Sequence, residues 1–159
     1  MIQINRNVTP GRHKITDAFP ALRDDPMMLG IFGTLGAVDE VLATVSLNVV
    51  EAPHYMYINR DDGSINTGMG HLKNSDTEVL YLDILHELYH IKQLQEGADL
   101  YPKNIPYVDI PTEIEAYRYN VKVGRHIGMT DAEILDYLYV EFIPDRDLMR
   151  LAKRLGLDV

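Results

Sequence analysis

Two histidines and a glutamate near the middle of the chain have the types and spacing of a metal site. The segment His86-Glu87-Leu88-Tyr89-His90 places its two histidines four residues apart. On an α-helix this spacing puts both imidazoles on one face, so that both can reach one zinc ion at about 2.0–2.1 Å. Glu87 lies beside them, displaced around the helix, where its carboxylate can contact a water on the ion without binding the ion. The pattern predicts a metal site that includes His86 and His90.

Such an arrangement suits hydrolysis by an activated water. Zinc lowers the pKa of its bound water to about 7 and polarises a substrate carbonyl. Glu87 would take the proton of that water as general base and pass it to the leaving amine. With this chain's own His and Glu frequencies, the pattern arises by chance in about one sequence in a hundred, so its helical context carries much of the argument.

A third protein ligand is expected, because catalytic zinc sites usually have three. Downstream, Glu113 and Glu115 compete for that place. Helical periodicity puts Glu113 on a face of mostly small or uncharged residues, whereas Glu115 shares its face with charged residues. Glu115 also forms a possible capping box with Thr112, which would be a purely structural role. We therefore predict Glu113 as the third ligand, with Glu115 as the alternative.

A His-Glu-x-x-His helix followed by a Glu on a second helix resembles the pattern of the gluzincin metallopeptidases. In size the chain is similar to the compact minigluzincins. The likeness covers residues 75–120. It implies a single zincin-like metallopeptidase domain over residues 1–159, with zinc as cofactor and a peptide or protein as substrate. The residue roles it implies are the zinc ligands His86, His90 and Glu113, and the general base Glu87.

The same resemblance implies an antiparallel edge strand above the metal, and residues 64–69 are similar to it in position. The chain departs from many gluzincins at Tyr117, where they have an Asp that supports a ligating histidine. The Tyr117 hydroxyl could serve as an acceptor or stabilise an oxyanion.

The elements of the N-terminal half are indicated by turn signals and residue types. Residues 34–42 could be helical, and residues 43–50 are rich in β-branched side chains, as in a strand. Residues 55–59 and 64–69 flank an Asp-Gly turn at Asp62-Gly63, which is typical of a hairpin.

The C-terminal half shows clearer helix boundaries. Ser75 and Glu78 have capping-box spacing and predict a buried helix that runs to about Glu96 and stops at Gly97. Three further helices are predicted over residues 111–126, 130–142 and 144–156. The order predicts an α+β domain with a small N-terminal sheet or hairpin, an active-site helix and three further C-terminal helices.

Composition excludes several classes of function. The net charge of −9 argues against nucleic acid and an anionic membrane as partners. The chain has no cysteine, which excludes thiol catalysis, disulfides and Cys-ligated zinc. No apolar run approaches the about 18 residues of a membrane span, and the N-terminus lacks a signal-peptide pattern. We expect a cytoplasmic protein.

Other residues near the motif have two interpretations. Asp83 could orient an imidazole of the metal site, but a solvated position is favoured. His71 has no ligand spacing with the motif and is interpreted as an ordinary surface or turn residue. Packing is also the default for four residues that could donate to a transition-state oxyanion, namely Tyr101, Tyr107, Tyr117 and His126.

Two alternatives to an enzyme remain open. The first is a non-catalytic or regulatory zinc-binding protein on a metallopeptidase scaffold, and Glu87 argues against it because a purely structural zinc needs no general base. The second is a helical interaction module in which the histidines only pack. The metal itself could be another divalent ion, because selectivity depends partly on availability.

Overall fold

The computed structural model describes residues 2–52 and 55–159. Within them the chain forms eight α-helices, four strands and two short 3-10 turns, which confirms the predicted α+β class. The chain divides into two compact units, Met1–Lys92 and Gln93–Val159. The single domain over residues 1–159 stays a prediction.

The first unit contains the strands and the first helices. Its strands are β1 (Gly11–Lys14), β2 (Ser46–Val50), β3 (Tyr57–Ile58) and β4 (Ile65–Gly68). Its helices are α1 (Ile15–Ala18), α2 (Pro26–Phe32), α3 (Leu35–Thr44), α4 (Met69–Asn74) and α5 (Thr77–Gln95), and the unit ends within the last turn of α5.

The four strands form one mixed sheet in the order β1-β2-β4-β3. Strand β4 runs antiparallel to β3 and parallel to β2, with Ile65 opposite both Ile58 and Leu47. The predicted hairpin is therefore confirmed, although its strands are shorter than expected. Its turn is fixed by Gly63 at φ +72° and by Asp62, whose carboxylate accepts hydrogen bonds from the hydroxyl and amide of Ser64. These bonds hold the pKa of Asp62 below its ordinary value.

The expectation that residues 64–69 form an edge strand is wrong. Strand β4 lies between two neighbours, and the edges of the described sheet are β1 and β3. All four residues of β4 are buried, as is typical of a central strand covered on both faces. Met69 also leaves the strand and begins α4. At the other end, predicted strand 43–50 starts only at Ser46, because α3 continues to Thr44.

Helix α5 is a buried helix, as predicted. Five of its apolar residues are fully buried: Leu80, Leu82, Ile84, Leu85 and Leu88, each 0% exposed. The helix ends at Gln95, and Gly97 has φ +83°. The Ala98 amide donates to the Gln93 carbonyl at 2.9 Å, which closes the helix end.

The start of α5 differs from the predicted capping box. Ser75 is the residue that ends α4, and α5 begins at Thr77. Arg6 secures this junction, because its guanidinium donates to the carbonyls of Leu72 at 3.1 Å and Ser75 at 2.7 Å and to the Thr77 hydroxyl at 3.1 Å. Hydrogen bonds from a charged donor are about twice as strong as neutral ones. Arg6 therefore connects the end of α4 to the first residue of α5.

Long apolar helices are scarce in the described part of the chain. No single helix there has both the length and the hydropathy to cross a membrane. Helices α2 and α3 have the required length and hydropathy only when they are taken together, and the pair is bent by 92°. The cytoplasmic location stays a prediction.

The second unit contains the three further helices that were predicted: α6 (Pro111–His126), α7 (Asp131–Leu138) and α8 (Asp145–Arg154). A 3-10 turn, Tyr107–Asp109, precedes α6. Buried apolar residues from these elements and from the segments next to α8 form one core cluster: Val108, Tyr117, Val121, Ile134, Leu138, Ile143, Leu148, Leu151, Ala152, Leu155 and Leu157.

Helix α7 shows the predicted capping box. The Thr130 hydroxyl accepts from the Glu133 amide at 3.2 Å, and the Glu133 carboxylate accepts from the Thr130 amide at 2.7 Å. The bonds from Thr130 hold the pKa of Glu133 below its ordinary value. The helix ends at Leu138, before the predicted Phe142, because the Tyr139 backbone is extended at φ −65° and ψ 127°.

Candidate metal centre

Helix α5 brings the imidazoles of His86 and His90 together in a buried place. They are 6% and 2% exposed, and their ring centroids lie 4.6 Å apart with an interplanar angle of 88°. The two Nε2 atoms are 3.1 Å apart. The one-turn spacing read from the sequence therefore directs both nitrogens to the same point.

The separation of these nitrogens fits a shared metal ion. Two nitrogens bound to one tetrahedral zinc ion at about 2.0–2.1 Å are themselves about 3.3 Å apart. The observed 3.1 Å between the Nε2 atoms of His86 and His90 is close to that value. Little movement of either ring is needed for both to bind one ion.

Glu113 lies close to the two imidazoles and is the third residue of the candidate metal site. It lies in the first turn of α6, where Pro111 occupies the first position, and it is 6% exposed. One ligand atom from each of His86, His90 and Glu113 lies within 4.8 Å of the other two, and all three residues are buried. Among the residues that the structure describes, this is the one such group found. A buried His-His-Glu group could bind a metal ion, and its donors suit zinc and related divalent cations.

Glu115, the alternative ligand, is placed differently. It is exposed, and its Oε1 lies 3.5 Å from the side-chain nitrogen of Gln93. Its proposed capping box with Thr112 is wrong, because Pro111 starts the helix and Ile110 is the capping residue. The structure thus groups Glu113 with the imidazoles and leaves Glu115 at the surface.

Glu87, the predicted general base, is also buried, at 7% exposed. It follows His86 directly on α5, and Leu85 and Leu88 on either side of this pair are fully buried. Burial of a carboxylate costs free energy unless it is paired or hydrogen-bonded, so an ordinary solvated glutamate does not explain this position. Its role as general base stays a prediction.

The carboxylate of Glu113 has a tyrosine partner. The hydroxyl of Tyr107 donates to Glu113 Oε2 at 3.2 Å, and it lies 2.7 Å from the hydroxyl of Tyr117. Of the four residues considered as oxyanion donors, these two contact the candidate ligand through a chain of hydrogen bonds. The other two, Tyr101 and His126, are exposed.

A polar cluster around His71 joins α4 to α5, and it is not predicted from the sequence. His71 is 8% exposed. Its Nε2 lies 2.6 Å from the carboxylate of Asp83, and its Nδ1 lies 2.7 Å from the hydroxyl of Ser75. The interpretation of His71 as a surface residue is therefore wrong, whereas the Asp83 side chain is 20% exposed and pairs with His71. The i,i+4 spacing of His71 and Ser75 is the available signal, but the predicted strand over residues 64–69 includes Met69, which instead begins α4.

No protein-family model, no curated protein and no solved structure matches this chain.

Proposed function

We propose that this chain is a zinc-dependent hydrolase of the gluzincin metallopeptidase type, with a zincin-like fold, which cleaves peptide bonds in a peptide or protein substrate. The observation that supports the proposal is the buried group of His86, His90 and Glu113, with the buried Glu87 on the same helix as the two imidazoles. Three protein ligands and an adjacent carboxylate are the parts that a catalytic zinc site needs.

The charges of the three ligands favour catalysis over a purely structural role. His86 and His90 would bind as neutral imidazoles and Glu113 as a carboxylate, so a divalent ion would retain one net positive charge. When bound, such an ion lowers the pKa of a water and polarises a carbonyl. Structural zinc sites are instead usually closed by four protein ligands, often cysteines, and this chain has no cysteine.

Glu87 would perform the proton transfers. Its carboxylate accepts the proton of the attacking water and then delivers it to the leaving amine nitrogen as the C–N bond breaks. Burial at 7% exposure keeps bulk water from competing for this carboxylate. Helix α5, whose apolar side chains are fully buried, holds Glu87 and both imidazoles on one rigid element.

The proposal is tested by digestion of a mixed peptide library with protein that carries no polyhistidine tag, with cleavage products identified by mass spectrometry. Zinc-loaded protein is expected to cleave peptides, a chelator to stop cleavage, and added zinc to restore it. Magnesium, which prefers oxygen ligands, is the matched control and should not restore cleavage. A folded, zinc-loaded protein that cleaves nothing would contradict the peptidase and favour a non-catalytic zinc-binding protein.

A further inference from the structure

The carboxylate of Glu113 is hydrogen-bonded to Tyr107, which in turn is hydrogen-bonded to Tyr117. An ionised carboxylate only accepts hydrogen bonds, so the Tyr107 hydroxyl at 3.2 Å from Oε2 donates its proton to Glu113. The Tyr107 oxygen then has only acceptor capacity left for the Tyr117 hydroxyl at 2.7 Å, so Tyr117 is the donor. The Tyr117 hydroxyl therefore points to the Tyr107 oxygen, and the Tyr107 hydroxyl points to Oε2 of Glu113.

The turn that carries Tyr107 is fixed in place by α8. Asp109, in the same 3-10 turn, accepts from Arg150 at 2.7 Å and from Arg154 at 3.1 Å. Val108, which lies between Tyr107 and Asp109 in the turn, is 2% exposed and belongs to the core cluster. The turn therefore has one side chain in the core and another bound by two guanidinium groups, so its backbone has little freedom.

The ring of Tyr107 is also confined. It packs edge-on against the ring of Tyr117, with centroids 6.3 Å apart, and against that of Phe142 at 5.2 Å. Edge-to-face contacts of this kind favour a particular ring orientation. These ring contacts and the hydrogen bond to Glu113 together favour one orientation of Tyr107.

We propose that Tyr107, supported by Tyr117, is the positioning residue for the metal ligand Glu113. Its hydrogen bond to Oε2 orients the Glu113 carboxylate, so the ion need not order a mobile side chain when it binds. This inference rests on the metal site of the proposed function. It assigns the hydroxyls of Tyr107 and Tyr117 to the ligand rather than to a transition-state oxyanion.

The test is a zinc titration of the Tyr107→Phe variant in competition with a coloured chelator. Hydrogen-bond partners of metal ligands typically contribute about 10–100-fold to metal affinity, and a loss in that range is expected. Tyr117→Phe leaves the Tyr107 hydroxyl in place and should lose less. Tyr139→Phe is the matched control, because Tyr139 is 51% exposed, and its zinc affinity should equal that of the unaltered protein.

Thermal unfolding of the metal-free proteins separates positioning from stability. The expected result is a loss of zinc affinity in Tyr107→Phe without an equivalent loss of unfolding temperature. Unchanged affinity would overturn the inference, as would an affinity that falls only in step with the unfolding temperature. Failure of the metal site itself would be visible separately, because the unaltered protein would then bind no zinc. Absence of peptide cleavage would leave the Tyr107 inference intact.

Discussion

Replacement of Glu87 by Gln is expected to keep the zinc ion bound and to lower kcat for peptide hydrolysis by at least about 100-fold, since general acid–base catalysis typically contributes about 100- to 10,000-fold. Gln has nearly the shape of Glu but cannot accept the proton of the attacking water. His86, His90 and Glu113, which would hold the ion, are unchanged. Zinc content by elemental analysis and kcat on a cleaved peptide, measured on the same sample, check both halves of the result.

Glu78→Gln is the control for this variant. Glu78 lies in the first turn of the same helix and is exposed, so the same chemical change is made away from the imidazoles. Its kcat should match that of the unaltered protein. If Glu87→Gln keeps its zinc and its kcat, Glu87 is not the general base. If the zinc is lost together with activity, Glu87 acts through metal binding and the assigned role is also wrong.

Replacement of Glu113 by Gln is expected to weaken zinc binding by more than about 100-fold. Loss of an outer hydrogen-bond partner already costs about 10–100-fold, and Glu113→Gln removes the charge of a direct ligand. Because Gln fills nearly the same volume in the first turn of α6, the fold should be kept. Competition with a coloured chelator measures the affinity.

Glu115→Gln makes the same change two positions later on α6 and is the matched control. Glu115 is exposed, whereas Glu113 is 6% exposed and grouped with the imidazoles. Zinc affinity should therefore be unchanged in Glu115→Gln. Equal losses in the two variants would point to net charge rather than coordination. A loss confined to Glu115→Gln would reverse the assignment of the third ligand.

Helix boundaries could be predicted where single residues dictate them. Pro111 and Gly128 bracket α6 because proline suits a first helical position and glycine a left-handed stop, and the helix runs from Pro111 to His126. The predicted α7 is too long because apolar residues continue past Leu138. No residue type near Tyr139 indicates that its backbone becomes extended.

Sheet order could not be predicted, because it depends on pairing between distant segments. The partner that makes β4 central is β2, and their parallel pairing joins Leu47 to Ile65. Residues 64–69 carry no signal for that partner. A hairpin, by contrast, is a local structure, and Asp62-Gly63 was sufficient to place its turn.

The candidate site was predictable as far as helical periodicity reaches. Spacing on one helix brought His86 and His90 together, and the neighbours of Glu113 distinguished it from Glu115. Tyr107 could not be singled out, because its position depends on a 3-10 turn held by Asp109. The arginines that bind Asp109 are on α8, 41 and 45 positions away.

The most direct measurement is the metal content of protein purified without a polyhistidine tag, loaded with zinc and dialysed. One zinc ion per chain is expected, because one buried group of His86, His90 and Glu113 is present among the described residues. A double variant, His86→Gln with His90→Gln, should retain none. Absence of zinc from the unaltered protein, or an equal amount in the double variant, would contradict the metal centre on which the proposed function depends.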